Sequence, residues 1–197
     1  MLPEKRDGFI CQIGWFDGLE QDTHNTLNHP AVRTNTSRCH LSEELIDPMQ
    51  YSEGRVGRVF TVRIDDGKDF LQEIQQFVTS MGIQCGTIQF LGAVRSARLV
   101  TGPKEPVIPP SPHREEILGG WELLGFATIY PGDEAPSIHL HTAAGRGMHS
   151  LTGCLRDRAE VYLVIEAIIT EFTGITAKRI LDEKTGVNLP LFDRTLQ

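Results

Sequence analysis

The spacing of apolar residues predicts strands over most of the chain after residue 56. In the segment GRVFTVRID, which spans 57–65, Phe60, Val62 and Ile64 alternate with their neighbours at the period of two that is typical of a strand. Glycines then separate further strand-like segments, namely GTIQFLGAV, SARLVTG, WELLGFATIYPG, SIHLHTAAG, MHSLTGCLRD and EVYLVIEAIITEF. The stretch KRILDEKTGVNLPLFD adds a short strand followed by a turn at DEKTG.

A single segment, DDGKDFLQEIQQFVTSMGIQ, has the period of an amphipathic helix. Its apolar residues fall on one helical stripe: Phe70, Leu71, Ile74, Phe77, Val78 and Met81. Asp69 and Gln72 predict a capping box at the start, and Gly82 predicts the end. The sequence therefore predicts an α+β fold, with a mostly antiparallel sheet packed against one main amphipathic helix.

The same pattern divides the chain into three parts. Residues 1–55 lack clear periodicity and are predicted to be an irregular N-terminal extension, one that wraps over the domain or lies partly loose. Residues 56–182 form the predicted domain, and 183–197 form a C-terminal tail. Within the domain, five prolines in GPKEPVIPPSPH predict a stiff surface loop between two strands.

Composition narrows the class of protein. Of the 197 residues, 40% are hydrophobic and 23% are charged, which is typical of a globular protein with a core. The net charge of -7 disfavours binding to nucleic acid, because no run of Lys and Arg offsets it. We find neither a signal peptide nor a membrane-spanning stretch. The four cysteines include no C-x-x-C pair, which indicates buried thiols in a reducing compartment and predicts a cytoplasmic location.

Three of the seven histidines lie close together in the stretch PSIHLHTAAGRGMHS. Residues two apart on a strand share a face, so His139 and His141 are expected side by side. If TAAGRG turns the chain back, the following strand brings His149 opposite this pair, with side chains about 5 Å apart. Three converging imidazoles are a common set of zinc ligands, so we predict a site for zinc or another divalent transition metal. The alternative is that these are ordinary surface or core histidines.

The remaining histidines are interpreted as non-ligands. His24, His29 and His40 fall in the predicted extension, and His113 follows the proline-rich loop.

Other residues are candidates for chemistry beside such a metal. Glu122 is a candidate for proton transfer, with an exposed strand glutamate as the alternative. Arg98 and Arg146 are candidates for holding a small anionic substrate, although a solvated surface arginine is the favoured interpretation of each. A purely structural metal site would need a fourth ligand, for which Cys154 and Glu122 are the nearest candidates in the sequence.

The order of these segments resembles the PPC domain, the plant-and-prokaryote-conserved domain, over roughly residues 57–181. The resemblance is carried by Gly86-Thr87-Ile88, by Gly92-Ala93-Val94, by GGWELLGFATI with Glu122 at an acidic position, and by HLHTAAGRGMHSLTGCL. It implies an α+β fold and a homotrimer. The fold and the H-x-H…H arrangement also resemble those of acetolactate decarboxylase, a zinc enzyme that acts on a small 2-keto or 2-hydroxy acid.

The resemblance also implies a rival function. PPC domains accompany AT-hook motifs in plants, and prokaryotic members are often described as DNA-binding by association. This chain has no R-G-R-P core, and Gly120 stands where plant members carry Arg. We therefore rank a metal-dependent lyase or hydrolase acting on a small carboxylate first. A DNA-binding or regulatory module without catalysis, and a structural metal-binding trimer, are the alternatives. Residues 1–55 are further predicted to act as a lid over the site.

Overall fold

The computed structural model describes residues 49–195. Nearly all of the predicted N-terminal extension, and with it the predicted lid, lies outside the described residues. In chain order the elements are β1 (Gln50–Tyr51), β2 (Arg55–Asp65), α1 (Phe70–Ser80), β3 (Gly86–Pro103), β4 (Pro112–Pro131), β5 (Pro136–Arg146), β6 (His149–Thr173), β7 (Ala177–Asp182), β8 (Val187–Phe192) and β9 (Arg194–Thr195).

Five of these strands form one antiparallel sheet in the order β2–β6–β3–β4–β5. The last strand of this order, β5, also pairs with the beginning of β6, so four of the strands close on themselves. Closure of this kind removes an exposed edge from β5. The prediction of an α+β fold with a mostly antiparallel sheet is confirmed, and α1 is the one α-helix of the described residues.

The helix α1 packs against the inward face of this sheet. Asp69 caps its first turn, where its carboxylate accepts a hydrogen bond from the backbone N–H of Gln72 at 3.1 Å. Gly82 follows the helix with φ of +68°, a conformation that favours glycine. Phe70, Ile74 and Val78 are buried along one side of the helix. Each such side chain contributes about 1.5–3 kcal/mol to folding through the apolar surface it removes from water.

The inward faces of the strands complete this core. On β5 the residues Leu140, Thr142 and Ala144 are almost fully buried, so the residues between them point outward. Thr142 is satisfied there because its hydroxyl donates to the carbonyl of Leu124 at 3.2 Å. This alternation decides which face of the sheet carries His139 and His141.

The C-terminal strands β7 and β8 form an antiparallel hairpin that packs on β4. Its turn is fixed by Asp182, whose carboxylate accepts hydrogen bonds from the backbone and hydroxyl of Thr185 at 2.8 and 2.6 Å. The predicted boundary between domain and tail, 182/183, falls inside this hairpin. Residues 183–192 are therefore part of the structure that surrounds the candidate site. Within residues 49–195, no helix combines the length and apolar character needed to cross a bilayer.

Candidate metal centre

His139 and His141 lie side by side on the outward face of β5. Their Nε2 atoms are 3.1 Å apart, and their rings stand at 80° to each other. In a tetrahedral zinc site, two imidazole nitrogens each about 2.0–2.1 Å from the metal lie about 3.3 Å apart. The pair is therefore spaced as two ligands of one metal ion would be.

The third group of the cluster is Cys154 on β6, not a histidine. Cys154 is the direct cross-strand partner of His141, and its sulfur lies within 4.8 Å of both histidine nitrogens. The thiol is buried, whereas His141 is exposed and His139 is half-buried. Gly153 lets β6 approach β3 closely here, because a Cβ at this position would lie 2.4 Å from the carbonyl oxygen of Val100. Among the described residues, these three groups are the ones that converge.

His149 lies at the other end of the same strand pair. Its cross-strand partner is Arg146, five positions along the register from the His141–Cys154 pair, or about 16 Å at the usual rise per residue. Side chains alternate across the sheet, so His149 also points to the opposite face from His141. The expected convergence of three imidazoles is therefore not what the structure shows. The reason is the turn, which lies at Gly147 and Met148, later than the expected TAAGRG.

Burial and nearby positive charge shift the pKa values of His139 and Cys154. The pKa of His139 is lowered to about 4, chiefly by burial and then by the charges of His141, Arg179 and Arg156. A neutral imidazole is the form that binds a metal, so His139 is available as a ligand at neutral pH. Burial raises the pKa of the Cys154 thiol, and Arg156 and Arg179 partly oppose that shift. Coordination to a metal would itself deprotonate the thiol.

Two adjoining cavities of about 590 and about 580 Å³ lie over this face of the sheet. Both are lined by His139, Arg156 and Val187. The larger one extends over His141 and Cys154 to the proline-rich loop, and the other extends along the β7–β8 hairpin to Arg179. No Asp or Glu is among the described residues that line either cavity, although the chain as a whole is acidic.

The candidates Glu122, Arg98 and Arg146 do not line these cavities. Glu122 is exposed on β4, four positions along the strand from Phe126, the cross-strand partner of His141. Arg98 is the partner of Arg156 on the neighbouring strand, and its Nε lies 3.4 Å from a carboxylate oxygen of Glu116.

Arg146 stands at the end of β5 and donates to the carbonyl of Leu118 at 3.0 Å. His113, predicted not to be a ligand, lies within hydrogen-bond distance of Thr101, with 3.0 Å between Nδ1 and the hydroxyl oxygen. The other three histidines predicted as non-ligands, His24, His29 and His40, lie outside the described residues.

Sequence reasoning missed Arg156 and Arg179 and considered Cys154 only as a fourth ligand. Two of these three residues, Cys154 and Arg156, can be found by counting residues outward from the β5–β6 turn. With a two-residue turn at 147–148, each step back along β5 is one step forward along β6, which brings Cys154 level with His141. The same count, continued for two residues beyond the observed pairing, predicts Arg156 near His139. No comparable signal points to Arg179, because β7 reaches β4 through tertiary packing alone.

The fold and the site together define a class of protein. It is an α+β domain whose antiparallel sheet closes through the β5–β6 pairing, with a histidine–cysteine cluster on the outer face of the sheet. The Plants and Prokaryotes Conserved (PCC) domain, named PPC above, matches residues 51–173, and the chain belongs to this family. No curated protein matches the sequence significantly.

Solved structures agree with the family assignment. A metal-containing protein from Archaeoglobus fulgidus is 30% identical, with a TM-score of 0.65 over 73% of this chain and 99% of that chain. A plant- and prokaryote-conserved protein from Pyrococcus horikoshii is 21% identical, with a TM-score of 0.62 over 76% and 100%. A candidate DNA-binding protein from Bacteroides thetaiotaomicron is 22% identical, with a TM-score of 0.60 over 74% and 100%. The last two, at these identities, show the fold alone.

Proposed function

We propose that this PCC-domain protein is a homotrimer that holds zinc, or another divalent transition metal, through His139, His141 and Cys154. We further propose that the metal serves a lyase or hydrolase reaction on a small carboxylate. A free thiol ligand is compatible with a reducing compartment, which agrees with the expected cytoplasmic location. The archaeal relative of 30% identity is described as metal-containing, which also favours the metal site.

The observation that carries the proposal is a three-group ligand set beside an accessible cavity. Two imidazoles and one thiolate fit the ligand preference of zinc. Structural zinc sites usually have four protein ligands, whereas catalytic sites have three and leave one position for water or substrate. Among the described residues no fourth His, Cys, Asp or Glu joins the cluster, and a cavity of about 590 Å³ adjoins it. This combination favours a catalytic over a structural site.

The residues of the chain have separable roles in this proposal. His139 and His141 bind as neutral imidazoles, and Cys154 binds as a thiolate. A bound zinc ion would supply Lewis acidity toward a carbonyl or carboxylate oxygen. The cavity of about 590 Å³ over the cluster has room for a small carboxylate ligand. The proposal gives no role to Glu122, Arg98 or Arg146, since none of them lines the cavities.

Exposed apolar residues beside the site support the proposed trimer. Leu91, Leu124, Phe126 and Ile168 are 54%, 67%, 46% and 47% exposed on neighbouring strands of one sheet face. Contiguous exposed apolar surface of this kind often marks an interface between proteins. Phe126 is the cross-strand partner of His141, so a subunit packed here would lie close to the metal ligands.

The oligomeric state is tested by size-exclusion chromatography with light scattering, which gives the molar mass of the protein. We expect the mass of three chains for the wild type and a smaller mass for Leu124→Glu, because this change puts a charge into the proposed interface. Glu134→Leu is a control at an exposed site outside this face. A monomeric wild type would contradict the trimer.

The metal is tested by elemental mass spectrometry of the purified protein. We expect about one zinc or other transition-metal ion per chain, and none in a His139→Ala, His141→Ala double variant. A wild type that contains no metal and takes none up on titration would contradict the proposal. If metal is present, turnover of small 2-keto and 2-hydroxy acids is measured next, because the expected fold and the H-x-H…H arrangement resemble those of acetolactate decarboxylase. Absence of turnover in the loaded protein would favour a structural metal.

DNA binding is the second candidate, favoured by structural neighbours that are described as candidate DNA-binding proteins. The charge of the chain opposes it. Many described arginines already contact carboxylates, in the pairs Arg58–Glu171, Arg63–Asp65, Arg95–Glu160, Arg98–Glu116, Arg114–Asp157 and Arg158–Glu160. Binding to duplex DNA that weakens steeply as salt rises would support this candidate, and absence of binding at low salt would remove it.

A further inference from the structure

Arg179 on β7 lies in the same cavity as His139, although β7 is outside the segment that matches the family domain. Its guanidinium donates to the hydroxyl of Thr128 at 3.1 Å and to the carbonyl of Asn188 at 3.2 Å. Thr128 is the cross-strand partner of His139. The hairpin therefore brings a cation next to the strand position of a metal ligand.

The charge on Arg179 is buried without a balancing carboxylate. The residue is only 6% exposed, its Nε has no hydrogen-bond partner, and it forms no ion pair with a described residue. The ring of Tyr130 lies 5.6 Å from its guanidinium carbon. Burying an unpaired charge is costly, and buried cations are normally paired with an anion. A cation in this state, at the wall of a cavity, is suited to receive an anionic ligand.

Arg156 adds a second cation to the same cavity. It lies on β6 two positions after Cys154, it is exposed, and no described carboxylate pairs with it. The other charged residue that lines either cavity, Arg114, contacts Asp157 at 3.5 Å. The positive charges of Arg156 and Arg179 both act to lower the pKa values of His139 and Cys154, which favours the deprotonated form of each. An acidic chain thus places uncompensated positive charge beside its metal ligands.

We propose that Arg179 and Arg156 form an anion subsite that holds a small carboxylate ligand beside the proposed metal site. This inference rests on the proposed metal site and deepens it. The planar guanidinium of Arg179 is shaped to pair with the two oxygens of a carboxylate. Because the β7–β8 hairpin carries Arg179, the C-terminal segment determines which ligands the site accepts.

The subsite is tested by calorimetric titration of the zinc-loaded protein with pyruvate and, separately, with inorganic phosphate. Arg179→Met removes the charge and keeps the length of the side chain. Arg156→Met does the same at an exposed position, where folding is not at risk. Arg146→Met is the matched control, since Arg146 lies at the other end of β5. Zinc content is measured for every variant, so that loss of the anion site is separated from loss of the metal.

We expect each cavity variant to bind pyruvate about tenfold or more weakly, which is the value of a charge-assisted hydrogen bond, with zinc content unchanged. The control should bind as the wild type does. Wild-type affinity for pyruvate in both Arg156→Met and Arg179→Met would overturn the subsite. Phosphate bound as tightly as pyruvate, with the same dependence on these arginines, would overturn the assignment to a carboxylate.

The same experiment separates this inference from the metal proposal. If the wild type takes up no zinc, the titration is repeated on metal-free protein by the line width of the pyruvate methyl signal in NMR spectra. Broadening that is lost in Arg156→Met and Arg179→Met would uphold the subsite while the metal proposal fails. Absence of broadening in the wild type would overturn the subsite as well.

Discussion

The two ends of the β5–β6 strand pair both carry a histidine and an arginine, yet their surroundings differ. At one end His141 faces Cys154, with His139 and Arg156 close by, beneath the proline-rich loop and the β7–β8 hairpin. At the other end His149 faces Arg146 beside a two-residue turn, and both side chains are exposed. The same residue types therefore form a candidate site only where a thiol lies among them and other elements line a cavity over them.

The largest difference between the two ends is expected in metal affinity. We predict that His139→Ala or His141→Ala weakens zinc binding by at least about 100-fold, because loss of even an outer hydrogen-bond partner of a ligand costs about 10–100-fold. His149→Ala should leave the affinity unchanged. Competition with a chromophoric zinc chelator measures all three variants. Equal losses at His149 and His141 would contradict the distinction between the two ends.

A smaller difference between the two ends is expected in the loss of folding stability when a glycine is replaced by alanine. Gly153→Ala should destabilise the fold by about 1–3 kcal/mol, because the added Cβ would lie 2.4 Å from the carbonyl oxygen of Val100. Gly145→Ala is the matched control, since no atom lies within 4 Å of a Cβ added there. Thermal unfolding should show a fall on the order of 3–10 °C for the first variant alone. An unchanged midpoint for Gly153→Ala would show that β6 need not approach β3 so closely.

The smallest expected difference is the pH dependence of stability in the metal-free protein. The pKa of His139 is lowered to about 4 in the folded state, so the unfolded chain binds the extra proton first as the pH falls. Stability from this group is present above pH 6.5 and is lost between pH 6.5 and 4, with a slope of at most about 1.4 kcal/mol per pH unit. His139→Gln should flatten the curve in this window.

The measurement is urea unfolding in the presence of a chelator at several pH values. His149→Gln is the control, because it removes one imidazole from the other end of the same strand pair. Parallel loss of stability in His139→Gln and the wild type would contradict a lowered pKa of His139 in the folded state.

Local patterns were enough to predict part of the fold and part of the site. The apolar stripe from Phe70 to Val78 and the capping residue Asp69 predicted α1, since both act within one or two turns of the helix. The period of two placed His139 and His141 on one face.

The predicted position of the β5–β6 turn, at TAAGRG, was wrong, because several small residues near 142–147 are equally suited to a turn. That uncertainty moved the expected third ligand from Cys154 to His149. Arg179 could not be predicted at all, since nothing near it in the sequence indicates that β7 packs on β4.

The most direct test of the account is the absorption spectrum of the cobalt-substituted protein. A thiolate ligand gives an intense charge-transfer band in the near ultraviolet, whereas a site of three histidines gives none. The account predicts the band in the wild type and in His149→Ala, and its loss in Cys154→Ser. A spectrum without the band in cobalt-loaded wild type, or a band that disappears in His149→Ala and survives in Cys154→Ser, would contradict it.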